Sequence, residues 1–237
     1  MNKATDIKGI FFDVFGTVFD WHKSIYEETK IFALENNLSF DEFIFTDKWR
    51  AGFRLLQSKV ASGKRSYLSM DEIHMEVLNE LLEELEIENI SKGKLDVFNQ
   101  SWHRLNPWKD SLKGLKLLKQ KFLISALSNG NLSMLVKLSK NSNLSWDSIL
   151  STEIFGTYKP DPKVYIGATN LLDIKPKNSL MVASHAYDLD GANKVGMKTC
   201  YVHRPDEFGN GKSEDYGDLS RFDIVVESFE EIINKIN

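Results

Sequence analysis

The stretch Ile10-Phe11-Phe12-Asp13-Val14-Phe15-Gly16-Thr17-Val18-Phe19-Asp20 decides how this chain is read. An apolar, strand-like run stops at a carboxylate, and a Gly-Thr turn follows almost at once. A run that is apolar on both faces reads as a strand buried inside a parallel sheet, and such sheets bind ligands outside the carboxyl ends of their strands. Asp13 therefore stands where chemistry is usually done. A carboxylate at a strand tip also serves as a turn former or a helix cap, and the surrounding chain has to separate the two readings.

Beyond Asp20 the pattern changes. From Trp21 to Leu105 strand signals and proline are absent, and amphipathic stretches follow one another. Ile25, Thr29, Phe32 and Ala33 share a face of a first helix. Trp49, Phe53, Leu56 and Val60 do so in a second over Asp41 to Ser62. Ser69 with Glu72 three positions on has the form of a capping box before a third, and Leu95 to Leu105 makes a fourth. Pro107 closes this block, and helices then alternate with short apolar runs: Lys121 to Leu127, Ser151 to Phe155, Leu180 to Ala183, Thr199 to Val202 and Phe222 to Val226. Alternation of this kind predicts an α/β fold, a doubly wound, Rossmann-like parallel sheet. Residues 1–20 and 106–237 form the core, and 21–105 an inserted helical cap over the strand tips. The Gly- and charge-rich segment from Arg204 to Asp218 reads as a solvated loop.

Bulk properties narrow the function classes. The chain has 237 residues, 42% hydrophobic and 27% charged, with a net charge of -4. That is an ordinary globular composition without a basic footprint, so nucleic acid and anionic membrane are not expected partners. A single cysteine, Cys200, can form no intrachain disulfide and makes a thiolate metal site unlike this chain. Met1 to Lys8 lacks an apolar signal region, and no apolar run reaches the ~20 residues of a membrane span. A cytoplasmic protein is expected.

Four polar clusters fall on strand ends: Asp13-Val14-Phe15-Gly16-Thr17, Leu127-Ser128-Asn129-Gly130, Tyr158-Lys159-Pro160 and Val182-Ala183-Ser184-His185-Ala186-Tyr187-Asp188. In this order, with a helical insert between the first two, they resemble the four motifs of the haloacid dehalogenase superfamily, and more closely those of the type II (S)-2-haloacid dehalogenases. Many members of the superfamily are phosphatases that carry a second Asp two residues after the nucleophile and a Gly-Asp pair in the fourth motif. Here those positions are Phe15 and Ala183-Ser184. Mg²⁺ requires oxygen ligands, so this chain lacks both the acid and a metal-ligating carboxylate of a phosphatase. A dehalogenase needs neither, because halide leaves as an anion without protonation.

The resemblance implies metal-independent hydrolysis of short (S)-2-haloacids to 2-hydroxy acids, without a cofactor, through an ester on Asp13. It makes Phe15 an apolar wall and Thr17 an anchor of the Asp13 loop. Ser128 and Asn129 become donors to the substrate carboxylate or halide, Lys159 a cation beside Asp13, and Arg50 the halide acceptor. Tyr67, Tyr165 and Tyr187 become site tyrosines, with Trp49 a further cap wall, and no residue is assigned to a metal. Studied members often have Asn where this chain has His185. His185 and Asp188, three residues apart, are expected to touch and to activate the water that breaks the ester; alternatively His185 only hydrogen-bonds Asp13 or Asp188. His74 is read with the other histidines as a surface or packing residue, and Arg54 as structural. A homodimer is implied by analogy. The competing readings are a phosphatase with a degenerate metal site and a non-catalytic binding protein of the same fold.

Overall fold

The computed structural model describes residues 6–213 and 217–236. The first five residues of the start examined for a signal region, and residues 214–216 of the Arg204 to Asp218 segment, lie outside that description. Among the described residues no helix is long and apolar enough to cross a membrane.

Six parallel strands make one sheet in the order β5-β4-β1-β6-β7-β8, where β1 is Gly9–Phe12, β4 Leu123–Ser128, β5 Ser148–Ser151, β6 Ser179–Ala183, β7 Lys198–Val202 and β8 Ile224–Val226. The chain builds outward from β1 through β4 to β5 on one side, then crosses to β6, β7 and β8 on the other. Phe12 pairs with Ala126 of β4 and Val182 of β6, so Asp13 emerges at the point where strand order reverses. In an open α/β sheet that crevice is where ligands bind.

Side chains alternate across a strand. Phe12 therefore packs on one face, with ring centroids 5.4 Å from Phe229 and 5.6 Å from Trp146. Phe11 joins the core of the other face with Val164, Met181 and Leu189. The α/β connections are α5 (Ser111–Lys119), α6 (Leu132–Asn141), α7 (Pro162–Leu171), α8 (Ala186–Lys194) and α9 (Phe229–Ile236).

The chain leaves the sheet and returns to it through a two-stranded antiparallel ribbon, β2 (Phe19–Asp20) with β3 (Asn106–Pro107). Between them run α1 (Trp21–Glu35), α2 (Glu42–Ala61), α3 (Met70–Glu84) and α4 (Lys92–Asn99). The Ser69 and Glu72 capping box is present. These helices share an aromatic core in which Phe32 stacks on Phe98 at 4.1 Å and Trp21 on Trp102 at 6.1 Å.

Three expectations about elements shift. The run at Ser151 to Phe155 is not a strand: β5 lies earlier, and Ser151 ends it by accepting from the Glu153 N–H and opening a 3-10 turn over Thr152–Phe155. The fourth helix starts at Lys92 rather than Leu95 and tightens into a 3-10 turn at Gln100–His103, which carries Trp102 inward. The third shift concerns the segment after β7. Arg204 is buried, pairs with Asp110 at 2.9 and 3.1 Å and donates to the Thr17 carbonyl at 3.1 Å. That paired charge holds the start of the segment against the strand tips, with Glu207 also buried, whereas residues 210–213, 217 and 218 are exposed as a solvated loop would be.

Phe12 is wholly buried between β1 and two aromatic neighbours. Phe12→Ala should lower stability by about 3–5 kcal/mol, read as the change in urea midpoint at unchanged slope; a change near zero would mean that this face of the sheet is not the tight core described.

Candidate active site

Asp13 follows the last residue of β1, and its N–H donates to the Val182 carbonyl at 2.9 Å. Gly16 makes the next turn with φ 83°, a left-handed conformation open to glycine. The turn is braced from the returning chain, where the Trp108 ring N–H donates to the Gly16 carbonyl at 2.8 Å and the Ser111 hydroxyl to that of Val18 at 2.7 Å. Thr17 thereby faces back at Asp13. Its hydroxyl donates to Asp13 Oδ2 at 2.8 Å and accepts from the Ser184 N–H at 2.9 Å.

Each oxygen of Asp13 has its own basic partner. Lys159 Nζ donates to Oδ1 at 2.8 Å and also to Asp188. His185 Nδ1 lies 3.0 Å from Oδ2. Lys159 is fixed along its length, for its backbone N–H donates to Asn129 Oδ1 at 2.9 Å. Burial pushes the Asp13 carboxyl up, but Lys159 and His185 outweigh burial and hold it well below the usual carboxylate range. Lys159, which burial alone would discharge, is raised by Asp13 and Asp188.

Above Asp13 is a cavity walled by Phe15, Phe53 and Met70, with Arg50, His74, Ser128, Asn129, His185 and Tyr187 also on its lining. Phe15 lies against Gly130, where a Cβ would come within 2.7 Å of the ring. Arg50 reaches in from α2 with its guanidinium 4.5 Å from the Phe53 ring centroid and 5.1 Å from that of Trp21, and its Nε is buried without a hydrogen-bond partner. A desolvated cation with a donor left over is suited to an anion. Arg54 lies over the Tyr187 ring at 5.1 Å.

Asp13, Phe15, Thr17, Arg50, Ser128, Asn129, Lys159, His185 and Tyr187 are thus brought together. Several neighbours stand elsewhere. Tyr67 stacks on Tyr158 at 5.2 Å, away from the cavity lining, because Tyr158 is anchored to the Leu68 carbonyl. Trp49 is buried among the insert helices and donates to the His74 carbonyl at 2.9 Å. Tyr165 turns its hydroxyl to Asp188 Oδ1 at 2.6 Å and serves the site through that carboxylate. The expected contact between the side chains of His185 and Asp188 does not form: α8 begins between them, and Asp188 points at Lys159 while His185 points at Asp13.

Two functional candidates escaped the sequence. Glu207, in the segment after β7, is 1% exposed. It accepts from Trp21 Nε1 at 3.0 Å, from His185 Nε2 at 2.8 Å and from Ser184 Oγ at 3.2 Å. Gly16 leaves room for it, since a Cβ there would sit 2.2 Å from Glu207 Oε1. His74 of α3 is not a mere packing residue. It lies on the cavity, stacked on Trp102 at 4.4 Å, with both ring nitrogens unpartnered; burial pulls its pKa down to about 3 and keeps it neutral. Its spacing resembles that of any buried helix residue, so only the cavity distinguishes it. For Glu207 the available signal was its place just beyond a strand tip on the ligand-binding edge.

The description haloacid dehalogenase-like hydrolase matches residues 7–196. The (S)-2-haloacid dehalogenase 4A of Burkholderia cepacia is 30% identical over 202 residues, which is 84% of each protein. The crystal structure of the L-2-haloacid dehalogenase PA0810 superposes with a TM-score of 0.90 at 35% identity, over 98% of this chain and 100% of that one. The defluorinating L-2-haloacid dehalogenase Rha0230 gives 0.93 at 33% identity, over 97% and 95%.

Replacing Lys159 by Met removes the cation on Oδ1, leaves only His185 against burial, and should raise the pKa of Asp13. First-turnover attack by Asp13 would then fail progressively as the medium is acidified, where the unaltered protein stays active. Rapid-quench measurement of the first turnover against pH checks this, and identical acid limbs would refute the pairing.

Proposed function

Since the chain belongs to the haloacid dehalogenase-like hydrolases, and within them beside the (S)-2-haloacid dehalogenases, we propose that it hydrolyses the carbon–halogen bond of short (S)-2-haloacids to the inverted 2-hydroxy acids. The observation that carries this reading is Asp13: a carboxylate kept ionised in a dry cavity, with an apolar wall on one side and an unsatisfied arginine across from it.

The hydrogen bonds select the attacking atom. Among the described residues, Oδ2 already accepts from Thr17 and His185, whereas Oδ1 accepts from Lys159 alone. With about two lone pairs per carboxylate oxygen, Oδ1 keeps one for C2 of the substrate. Attack breaks the carbon–halogen bond on the far side, and the halide leaves with its electron pair toward Arg50. A fixed cation acts there on charge that develops only as the bond breaks. Ser128 and Asn129 line the cavity, where a hydroxyl and a side-chain amide suit the substrate carboxylate. Phe15 stands where a phosphatase needs a second acid, and halide departure needs no acid, so the reaction runs without a metal or cofactor. Ester hydrolysis requires water at Asp13 Cγ and an acceptor for its proton. Asp188 is the carboxylate nearest through Lys159, and burial raises its pKa, which suits a base.

Residues 21–105 act as the cap that carries Arg50 and His74 over the nucleophile. A cytoplasmic setting is supported by the lone, buried Cys200. A homodimer is supported by exposed Ile31 and Leu34 of α1 next to Val97 of α4; sedimentation as a monomer would overturn that part.

The test incubates the protein with (S)-2-chloropropionate, its enantiomer and a phosphomonoester, with chelator or with added Mg²⁺. Halide release from the (S) form alone, indifferent to chelator and abolished in Asp13→Asn, is the expected result; phosphate release dependent on Mg²⁺ would overturn the reading. Arg50→Lys keeps the charge but loses the planar fork, and kcat should fall about 100-fold or more.

A further inference from the structure

His185 is bracketed by carboxylates. Nδ1 meets Asp13 Oδ2 at 3.0 Å and Nε2 meets Glu207 Oε1 at 2.8 Å, and all three groups are buried. Both carboxylates are acceptors when ionised, so both contacts are satisfied together only by a ring with a proton on each nitrogen. The surrounding charges agree. Asp13 and Thr17 approach from the β1 loop, Glu207 from the segment after β7 and Tyr187 from α8. The Lys159 side chain lies on the other oxygen of Asp13, with Asp188 beyond it, and Arg50 and His74 face the same cavity from α2 and α3. Burial disfavours the charge on His185, but Glu207 and then Asp13 outweigh it and raise its pKa well above the ordinary value. Glu207 is in turn lowered, against its burial, by His185 and Arg50.

This arrangement has a consequence for the second half of the reaction. If Oδ1 forms the bond to the substrate, Oδ2 becomes the carbonyl oxygen of the ester, and His185 and Thr17 are already placed to donate to it. We propose that His185 acts as a two-proton imidazolium whose Nδ1–H, with the Thr17 hydroxyl, forms the oxyanion site for hydrolysis of the Asp13 ester, and that Glu207 is the positioning residue that maintains it. His185 is on this account a catalytic donor and not the base that takes the proton from water. The inference rests on the dehalogenase reading.

The step balances. The water oxygen bonds to Cγ and passes one proton to Asp188, while the π pair of the carbonyl moves onto Oδ2, held by His185 and Thr17. That pair returns as the Cγ–Oδ1 bond breaks, and the departing alkoxide takes the proton from Asp188. The hydroxyl left on Cγ releases its proton to solvent, restoring the Asp13 carboxylate. The net products are alcohol, halide and one proton.

An oxyanion donor and a base give opposite signs. Glu207→Gln keeps all three hydrogen bonds in kind, because its carbonyl can accept from Trp21 and His185 and its amide can donate to Ser184, but it removes the charge. In that variant, ester breakdown should fall relative to first-turnover halide release, and the ratio of the two should fall further as pH rises through the now-lowered titration of His185. Breakdown that instead rises with pH, or that matches the unaltered protein throughout, overturns the proposal. His185→Asn, which can still donate, should retain more breakdown activity than His185→Leu, for which a loss of about 100-fold or more is expected; equal rates in the two variants count against it.

A measurement without turnover keeps the question decidable if Glu207→Gln fails to fold. Asp13→Asn is a neutral stand-in for the ester, and ¹⁵N resonances report each ring nitrogen of His185. Both should remain protonated in Asp13→Asn at neutral pH; a neutral ring with Nδ1 bare overturns the assignment. Absence of halide release from the unaltered protein would instead refute the dehalogenase reading itself.

Discussion

The structure depends on keeping one carboxylate both charged and dry. Removing an isolated carboxylate from water is so unfavourable that the group would ordinarily take up a proton, and a protonated Asp13 could not attack carbon. Lys159 on Oδ1 and His185 on Oδ2 prevent this. Those cations are themselves buried and need partners, which Asp188 and Glu207 supply. Three carboxylates and two cations therefore alternate across the strand tips, from Asp188 through Lys159, Asp13 and His185 to Glu207, with Arg50 contributing charge from α2. Every member of such a row is costly to remove singly, because a buried charge would be left uncompensated.

Much of this was legible in sequence, for a physical reason. Residues on strand tips are fixed by the sheet. Once β1 was located by its apolar run, the polar clusters after β4, β5 and β6 had to converge on Asp13. The doubly wound architecture followed from the alternation of helices and strands, whereas Phe15 on the wall and Lys159 against Asp13 were what the family resemblance implied. Position beyond the sheet was less determined. The spacing of His185 and Asp188 suggested contact across one helical turn, yet His185 is the residue preceding α8 and points back along the strand direction. The resemblance made Tyr165 a site tyrosine, and its hydroxyl meets Asp188, while Tyr67, expected as a cap wall, stacks on Tyr158. Glu207 had no periodicity to mark it, since the segment that carries it is folded by the tertiary pair of Arg204 with Asp110.

The insert supplies the opposite half of the cavity by a different means. Its helices present aromatic rings, and Arg50 is held by the faces of Trp21 and Phe53 instead of by carboxylates. Ring faces steady a cation without neutralising it, so Arg50 keeps its charge for an incoming anion. A carboxylate in that position would have satisfied the guanidinium and competed with halide. The core thus pairs its cations around Asp13, while the insert holds Arg50 between ring faces with Nε unpartnered, as the proposed halide site requires.

These two treatments of charge bear on the order of events. On the proposed reading, an anionic substrate would meet an arginine with a spare Nε donor on one side and a row of paired charges on the other, so its first attraction would be to the Arg50 side. If Oδ1 attacks as proposed, the contact with Lys159 loosens while Oδ2 keeps Thr17 and His185 in place. Lys159 would then keep Asp188 as an anionic partner. On the proposed mechanism that carboxylate receives the water's proton, so one lysine would serve both halves of the reaction.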